Sequence, residues 1–169
     1  MQARKQAIFR LGAALMLTVA VVGVGAGTAV AGSPAKKAKK PTTVVTVTLG
    51  DTAGLSGPMT LTASPATAPA GKVKFVVTNS GTIIHEMIVL KTKTAFDQLP
   101  VVDSGDPPVR AASGANKVDE GKSVGETGDV AKGKTKSVTL KLKKGSYVLV
   151  CNKAEHYGLG MRAAFTVTK

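Results

Sequence analysis

Three segments of the chain alternate apolar and polar residues with a period of two. Apolar residues occupy every second position of residues 45–49, 73–77 and 138–142, and threonine or lysine fills most positions between them. Successive side chains of a strand point to opposite faces of a sheet, so this period predicts strands that are buried on one face. Short runs of this kind, separated by Gly, Pro and Asn, predict an antiparallel β-sandwich.

Residues 93–134 break this alternation. The stretch contains Pro100, Pro107 and Pro108, is rich in Gly, Ser, Asp and Lys, and has few apolar positions. A connection of this length is usually functional or mobile. We therefore predict a long irregular excursion outside the two sheets, for which the sequence gives no role.

A second constraint is chemical. Cys151, His156 and Met161 follow one another with four residues between each pair, and Cys151 is the only cysteine. The chain has two histidines, and the other is His85, within the apolar run of residues 83–90. Two imidazoles, one thiolate and a weak axial thioether form the donor set of a blue-copper site. A zinc site would favour harder donors or more thiolates.

The alternation also predicts where these side chains point. His85, Cys151 and Met161 each share parity with the inward apolar residues of their predicted strands, so three segments can aim at one end of the sandwich. Met87 has the parity of His85 and is predicted to pack beneath the metal, whereas Glu86 points away from it. A Cys–His nucleophile pair is the enzymatic alternative. It leaves Met161 without a role, so we expect no enzyme.

Two longer motifs carry a family resemblance. Residues 79–87 read Asn-Ser-Gly-Thr-Ile-Ile-His-Glu-Met and residues 145–152 read Gly-Ser-Tyr-Val-Leu-Val-Cys-Asn. Both resemble ligand-bearing strands of the cupredoxins, and the Cys-x4-His-x4-Met spacing resembles the sulfocyanin and rusticyanin branch. The resemblance implies an all-β, Greek-key β-sandwich of about seven to eight strands. It also implies one type 1 copper site, with four ligands: His85, Cys151, His156 and Met161.

The function implied by this resemblance is one-electron transfer between redox partners. His156 would be the electron port, with Tyr157 and Leu159 as candidate residues of an apolar patch around it. The alternative is a protein that stores or delivers copper outside the cytoplasm, since the same ligands would serve it. Colour and reversible electrochemistry of the copper-loaded protein separate the two functions.

The N-terminus predicts export. Arg4, Lys5 and Arg10 precede an apolar run from Leu11 to about Val24, and Ala-Val-Ala at residues 29–31 completes a signal-peptide pattern. We predict a signal peptide over residues 1–31, a basic flexible linker over 32–42 and a copper-binding domain over 43–169. An uncleaved signal anchor is the alternative.

The charge balance is strongly basic. Only three of the 23 Lys and Arg residues lie in residues 1–31, and all ten acidic residues follow, so the mature chain carries a formal charge of +10. An exported chain with no Trp and no nucleic-acid recognition motif does not indicate nucleic-acid binding. The charge instead predicts a redox partner with an acidic docking surface. The lysines of the linker also predict weak contact with a membrane surface.

Overall fold

The computed structural model describes residues 40–102 and 117–169. The predicted signal peptide, most of the predicted linker and the middle of the predicted excursion lie outside the described residues. In the two described ranges, no helix is long and apolar enough to cross a membrane. The described residues lie in one compact unit.

The described chain is built almost entirely from strands. In chain order they are β1 (Thr43–Asp51), β2 (Met59–Ser64), β3 (Thr67–Pro69), β4 (Gly71–Asn79), β5 (Ile88–Lys91), β6 (Val101–Val102), β7 (Lys117–Val118), β8 (Ser123–Glu126), β9 (Thr135–Leu142), β10 (Gly145–Val150) and β11 (Arg162–Thr168). A first sheet has the order β2-β1-β4-β9 and a second the order β3-β11-β10-β5-β8, while β6 and β7 pair separately. The result is a β-sandwich consistent with a Greek key, as predicted.

The main core lies between these two sheets. The inward positions of β1, β4 and β11 are fully or almost fully buried, and residues between them are more exposed. Phe75 of β4 and Phe165 of β11 meet across the core, edge to face, with ring centroids 5.3 Å apart. The period-two alternation therefore predicted the buried face of each of these strands correctly.

Strand number and direction differ from the prediction. Eleven strands are present in the described residues, because short strands such as β3, β6 and β7 carry too few residues to show a period. Two neighbouring pairs are parallel, β1 with β4 and β3 with β11. The chain leaves the first sheet after β2, crosses to the second sheet as β3, and returns as β4 on the other side of β1. That crossover makes β4 run in the direction of β1.

The excursion of residues 93–134 is not wholly irregular. Its β8 segment forms the edge of the second sheet beside β5. Its stems also supply Leu99 and Val118 to a second apolar cluster, which includes Tyr157 and covers the outer faces of β5 and β10. These two strands are consequently buried on both faces, which is why their burial does not alternate.

Candidate metal centre

The loop between β10 and β11 is closed by backbone hydrogen bonds. Cys151 follows directly after β10, and its N–H donates to the carbonyl of Met161 at 3.0 Å. The N–H of Met161 in turn donates to the carbonyl of His156, also at 3.0 Å. Backbone hydrogen bonds thus link the three predicted ligands of this loop to one another.

His85 lies in a different segment, which is less regular than predicted. The apolar run at residues 83–90 becomes strand β5 only from Ile88, and His85 instead forms an isolated two-residue bridge with Val130. The Asn79 side chain braces this segment, because its amide donates to the carbonyls of Ile83 at 2.7 Å and Val130 at 2.8 Å. Both amide donors of Asn79 are used to fix the approach of His85 to the loop.

The structure brings His85, Cys151 and His156 together. The Nδ1 atoms of the two histidines are 3.0 Å apart, and Nδ1 of His156 is 3.2 Å from Sγ of Cys151. The candidate ligand atoms of all three residues lie within 4.8 Å of one another. Donors bound at about 2.0–2.3 Å to one ion are separated by roughly 3–4 Å, so this triangle has the dimensions of a metal site.

The site is closed to solvent. His85 and Cys151 have no exposed surface, and His156 is only 4% exposed. Met161 is fully buried and belongs to the same apolar cluster as Cys151. Met87 is also fully buried in that cluster, as predicted for a residue that packs beneath the site.

Asp51 is a residue of the site that the sequence did not single out. It ends β1, and its Oδ2 is 2.7 Å from Nε2 of His85, with neither side chain exposed. A carboxylate at this position accepts the Nε2–H of His85 and leaves the Nδ1 lone pair directed at the other ligands. Gly81 makes this contact possible, because a Cβ there would lie 2.7 Å from Nε2 of His85.

Four other donors converge on the Asp51 carboxylate. Its oxygens accept hydrogen bonds from the N–H groups of Gly54, Thr82 and Ile83 and from the Thr82 hydroxyl. Burial alone would raise the pKa of Asp51, but the hydrogen bonds from Thr82, His85 and Gly54 outweigh it, so the pKa lies below the usual range. Asp51 is therefore a buried carboxylate that stays ionised.

A backbone amide also points at the thiol. The N–H of Glu86 donates to Sγ of Cys151 at 3.3 Å. The Glu86 side chain is half-buried, and burial raises the pKa of its carboxyl. The sequence placed this side chain away from the metal but could not reveal the amide contact, because every residue except proline has the same N–H.

Burial sets the protonation of the metal-free ligands. It raises the pKa of the Cys151 thiol to about 11, although the amides of Lys153 and Glu86 act in the opposite direction. It lowers the pKa of His156 to about 4, and the nearby His85 contributes to that decrease. At neutral pH the site therefore holds a neutral thiol and a neutral His156 imidazole, and binding a metal through the thiolate releases a proton.

The residues around His156 fasten the excursion to the ligand loop. The hydroxyl of Tyr157 accepts the N–H of Leu99 and donates to the carbonyl of Phe96, both at 3.0 Å. Asn152 bonds to both the N–H and the carbonyl of Val118. Tyr157 is thus buried against the excursion, and its proposed place in an exposed patch is wrong. Leu159 is half-buried at the surface.

A known protein family matches the sequence of this domain. The family of copper binding proteins that includes plastocyanin and azurin matches residues 48–168, which contain all four predicted ligands. The chain belongs to this family. It is a cupredoxin, and its buried cysteine sulfur and two imidazoles have the donor chemistry and spacing that a type 1 copper ion requires.

Two solved structures share the fold of this chain at TM-scores of 0.50 or above. Auracyanin B is 20% identical, with 79% of this chain and 94% of that chain covered and a TM-score of 0.52. A rusticyanin variant is 18% identical over 78% of this chain and 80% of that chain, with a TM-score of 0.50. An auracyanin of Roseiflexus castenholzii is 18% identical over 78% of this chain and all of that chain, with a TM-score of 0.49. No curated protein matches the cupredoxin at a significant level.

Proposed function

We propose that this cupredoxin is an exported one-electron carrier and not an enzyme. The observation that carries the proposal is the buried triangle of His85, Cys151 and His156, which closes a copper site with two nitrogens and one sulfur. Copper bound there supplies the Cu(I)/Cu(II) couple. The hydrogen bonds that hold His85, Cys151 and His156 limit their rearrangement, and small rearrangement favours fast electron exchange.

The chain's own groups divide the work of such a site. Cys151 would bind as the thiolate, and the N–H of Glu86 would stabilise the charge on its sulfur. His85 and His156 would bind the copper through their Nδ1 atoms. Met161 is proposed as the weak axial donor. The grounds are its spacing from His156 in the sequence, its full burial, and the backbone hydrogen bonds that join it to Cys151 and His156.

The electron route, export and partner are parts of the same proposal. His156, 4% exposed, is the one proposed ligand with exposed surface and is proposed as the port. The redox partner is proposed to be a protein with an acidic docking surface, because the mature chain is basic. Export rests on the signal-peptide pattern of residues 1–31.

Copper loading tests the carrier function against copper storage or delivery. We expect one equivalent of Cu(II) to give an intense visible thiolate-to-copper band and a reversible one-electron wave in voltammetry. Copper should exchange slowly with a chelator, because the ligands are buried. A colourless protein whose Cu(I) is rapidly removed by the chelator would instead indicate storage or delivery.

Axial ligation is tested by a pair of methionine variants. Met161→Leu should raise the reduction potential, because loss of a weak donor to the metal favours Cu(I). The protein should keep its copper and colour through the three strong ligands. Met87→Leu is the matched control, since Met87 is equally buried in the same cluster, and it should leave the potential nearly unchanged. The opposite pattern in voltammetry would assign the axial role to Met87.

A further inference from the structure

The positive charge of the domain is concentrated at the end of the sandwich remote from the metal centre. Strand β1 starts at this end and finishes at Asp51, so its nine residues place the two ends roughly 26 Å apart. We call this region the basic end. It consists of exposed lysines: Lys40, Lys72, Lys91, Lys93, Lys122, Lys141, Lys143 and Lys144.

These lysines surround three shallow surface clefts. One cleft lies between Lys40 and Lys72, a second extends from Lys40 to Lys144, and a third runs from Lys144 to Lys91. No carboxylate lines any of the three clefts. Within the described ranges the ion pairs are His85–Asp51 and Lys153–Asp129, so none of them neutralises the basic end.

The metal end has a different charge. Glu86 lies within electrostatic range of Glu120, Glu126 and Asp129, as well as Lys153. Carboxylates and bases are mixed there, and the Asp51 carboxylate is buried beside His85. The positive charge of the described residues is therefore polarised along the sandwich, with its excess at the end remote from the metal centre.

We propose that the basic end binds the surface of an anionic lipid bilayer and that the metal end then faces away from it. Lys40 lines two of the clefts and is where the described chain enters the domain. Directly before it in sequence come Lys36, Lys37 and Lys39, and further upstream the apolar run that begins at Leu11. The segment that precedes the basic end in sequence thus contains the predicted signal peptide. That peptide would meet a membrane during export, whether it is then cleaved or retained as an anchor.

The strength of such binding follows from the number of lysines. Each lysine near an anionic lipid surface strengthens binding by about fivefold at physiological ionic strength, and the effect fades within a Debye length of about 8 Å. Three lysines removed from the contact should therefore weaken binding by about a hundredfold. Lysines at the metal end, roughly 26 Å away, should contribute little.

The two ends of strand β9 and the residues that flank them offer a matched pair of triple variants. One removes Lys141, Lys143 and Lys144 at the basic end, each changed to Gln. The other removes Lys132, Lys134 and Lys136 near the metal end, also each to Gln. Both sets are exposed and both lower the net charge by three, so net charge alone cannot distinguish them. Equal thermal unfolding midpoints for the two variants and the unmodified chain would verify that all three are folded.

The measurement is partition of the full chain into vesicles of neutral phosphatidylcholine, with and without about 30% phosphatidylglycerol. The apolar N-terminal run contributes to both partition coefficients, so their ratio reports the charge-dependent part. We expect the basic-end variant to lower this ratio by one to two orders of magnitude and the metal-end variant to lower it by less than threefold. Metal-free protein suffices, so the outcome does not depend on the proposed electron transfer.

Three results would overturn the proposal. An equal decrease in both variants would show that net charge, not the basic end, drives binding. No decrease in either would show that the domain does not contribute. A wild-type ratio of one, combined with retention on polyphosphate-coated beads that the basic-end variant loses, would assign the surface to a soluble anionic polymer.

Discussion

Cys151→Ser should abolish the intense visible band of the copper-loaded protein. The band requires a thiolate bound to Cu(II), and Cys151 is the only cysteine of the chain. A serine hydroxyl can still accept the N–H of Glu86, so the substitution should cost no more than about 1–3 kcal/mol of stability. Absorption spectra of the loaded variant, with far-ultraviolet circular dichroism of the same sample, test both expectations.

Ala163→Ser is a suitable control for this experiment. It also introduces a hydroxyl close to the ligand loop, in β11, but keeps all four predicted ligands. It should retain the band at nearly full intensity. A Cys151→Ser protein that remains intensely coloured would exclude the thiolate as a ligand and, with it, the type 1 assignment.

Asp51→Asn should raise the reduction potential. The ionised carboxylate is hydrogen-bonded to His85, and a negative charge near the metal stabilises Cu(II) relative to Cu(I). For a unit charge within 7–10 Å and an effective dielectric constant near 20, the effect is about 1.7–2.4 kcal/mol, or roughly 70–100 mV for one electron. Voltammetry of the copper-loaded protein measures this shift.

Two further variants separate charge from position. Thr82→Val removes one hydrogen bond to Asp51 but keeps its charge, so the potential should move much less. Asp97→Asn removes the charge of an exposed aspartate and should leave the potential unchanged. Nitrogen-15 NMR of the metal-free protein should show His85 protonated at Nε2 in the wild type, and a mixture of tautomers in Asp51→Asn. An unchanged potential and tautomer in Asp51→Asn would show that the role of Asp51 is structural only.

The predictions that succeeded depend on local patterns. The alternation in β1, β4 and β9 identified their inward faces, because burial between two sheets imposes a period of two. The cluster of His85, Cys151 and His156 could be predicted because these residue types are rare in this chain, and three of the four proposed ligands lie within one eleven-residue stretch. Rarity and spacing are properties that a sequence displays directly.

The features that the sequence did not reveal depend on contacts between distant segments. Asp51 lies 34 positions before His85, at the end of a strand whose partner could not be predicted. The parallel pairing of β1 with β4 follows from a crossover between sheets, which leaves no local pattern. Tyr157 was a candidate for a surface patch, and its burial depends on hydrogen bonds that join its hydroxyl to Leu99 and Phe96, 58 and 61 positions earlier in the chain.

The position of β1 has a mechanical consequence. This strand is an inner strand of the first sheet, paired with β4 over residues 43–49 and with β2 over residues 46–51, and the chain enters it from the basic end. A pull on Lys40 would act along the strand axis, while the hydrogen bonds of β1 run across it. The load would be shared by both ladders in shear instead of opening them one bond at a time. A domain tethered at this point would resist forced extraction better than one held by an edge strand.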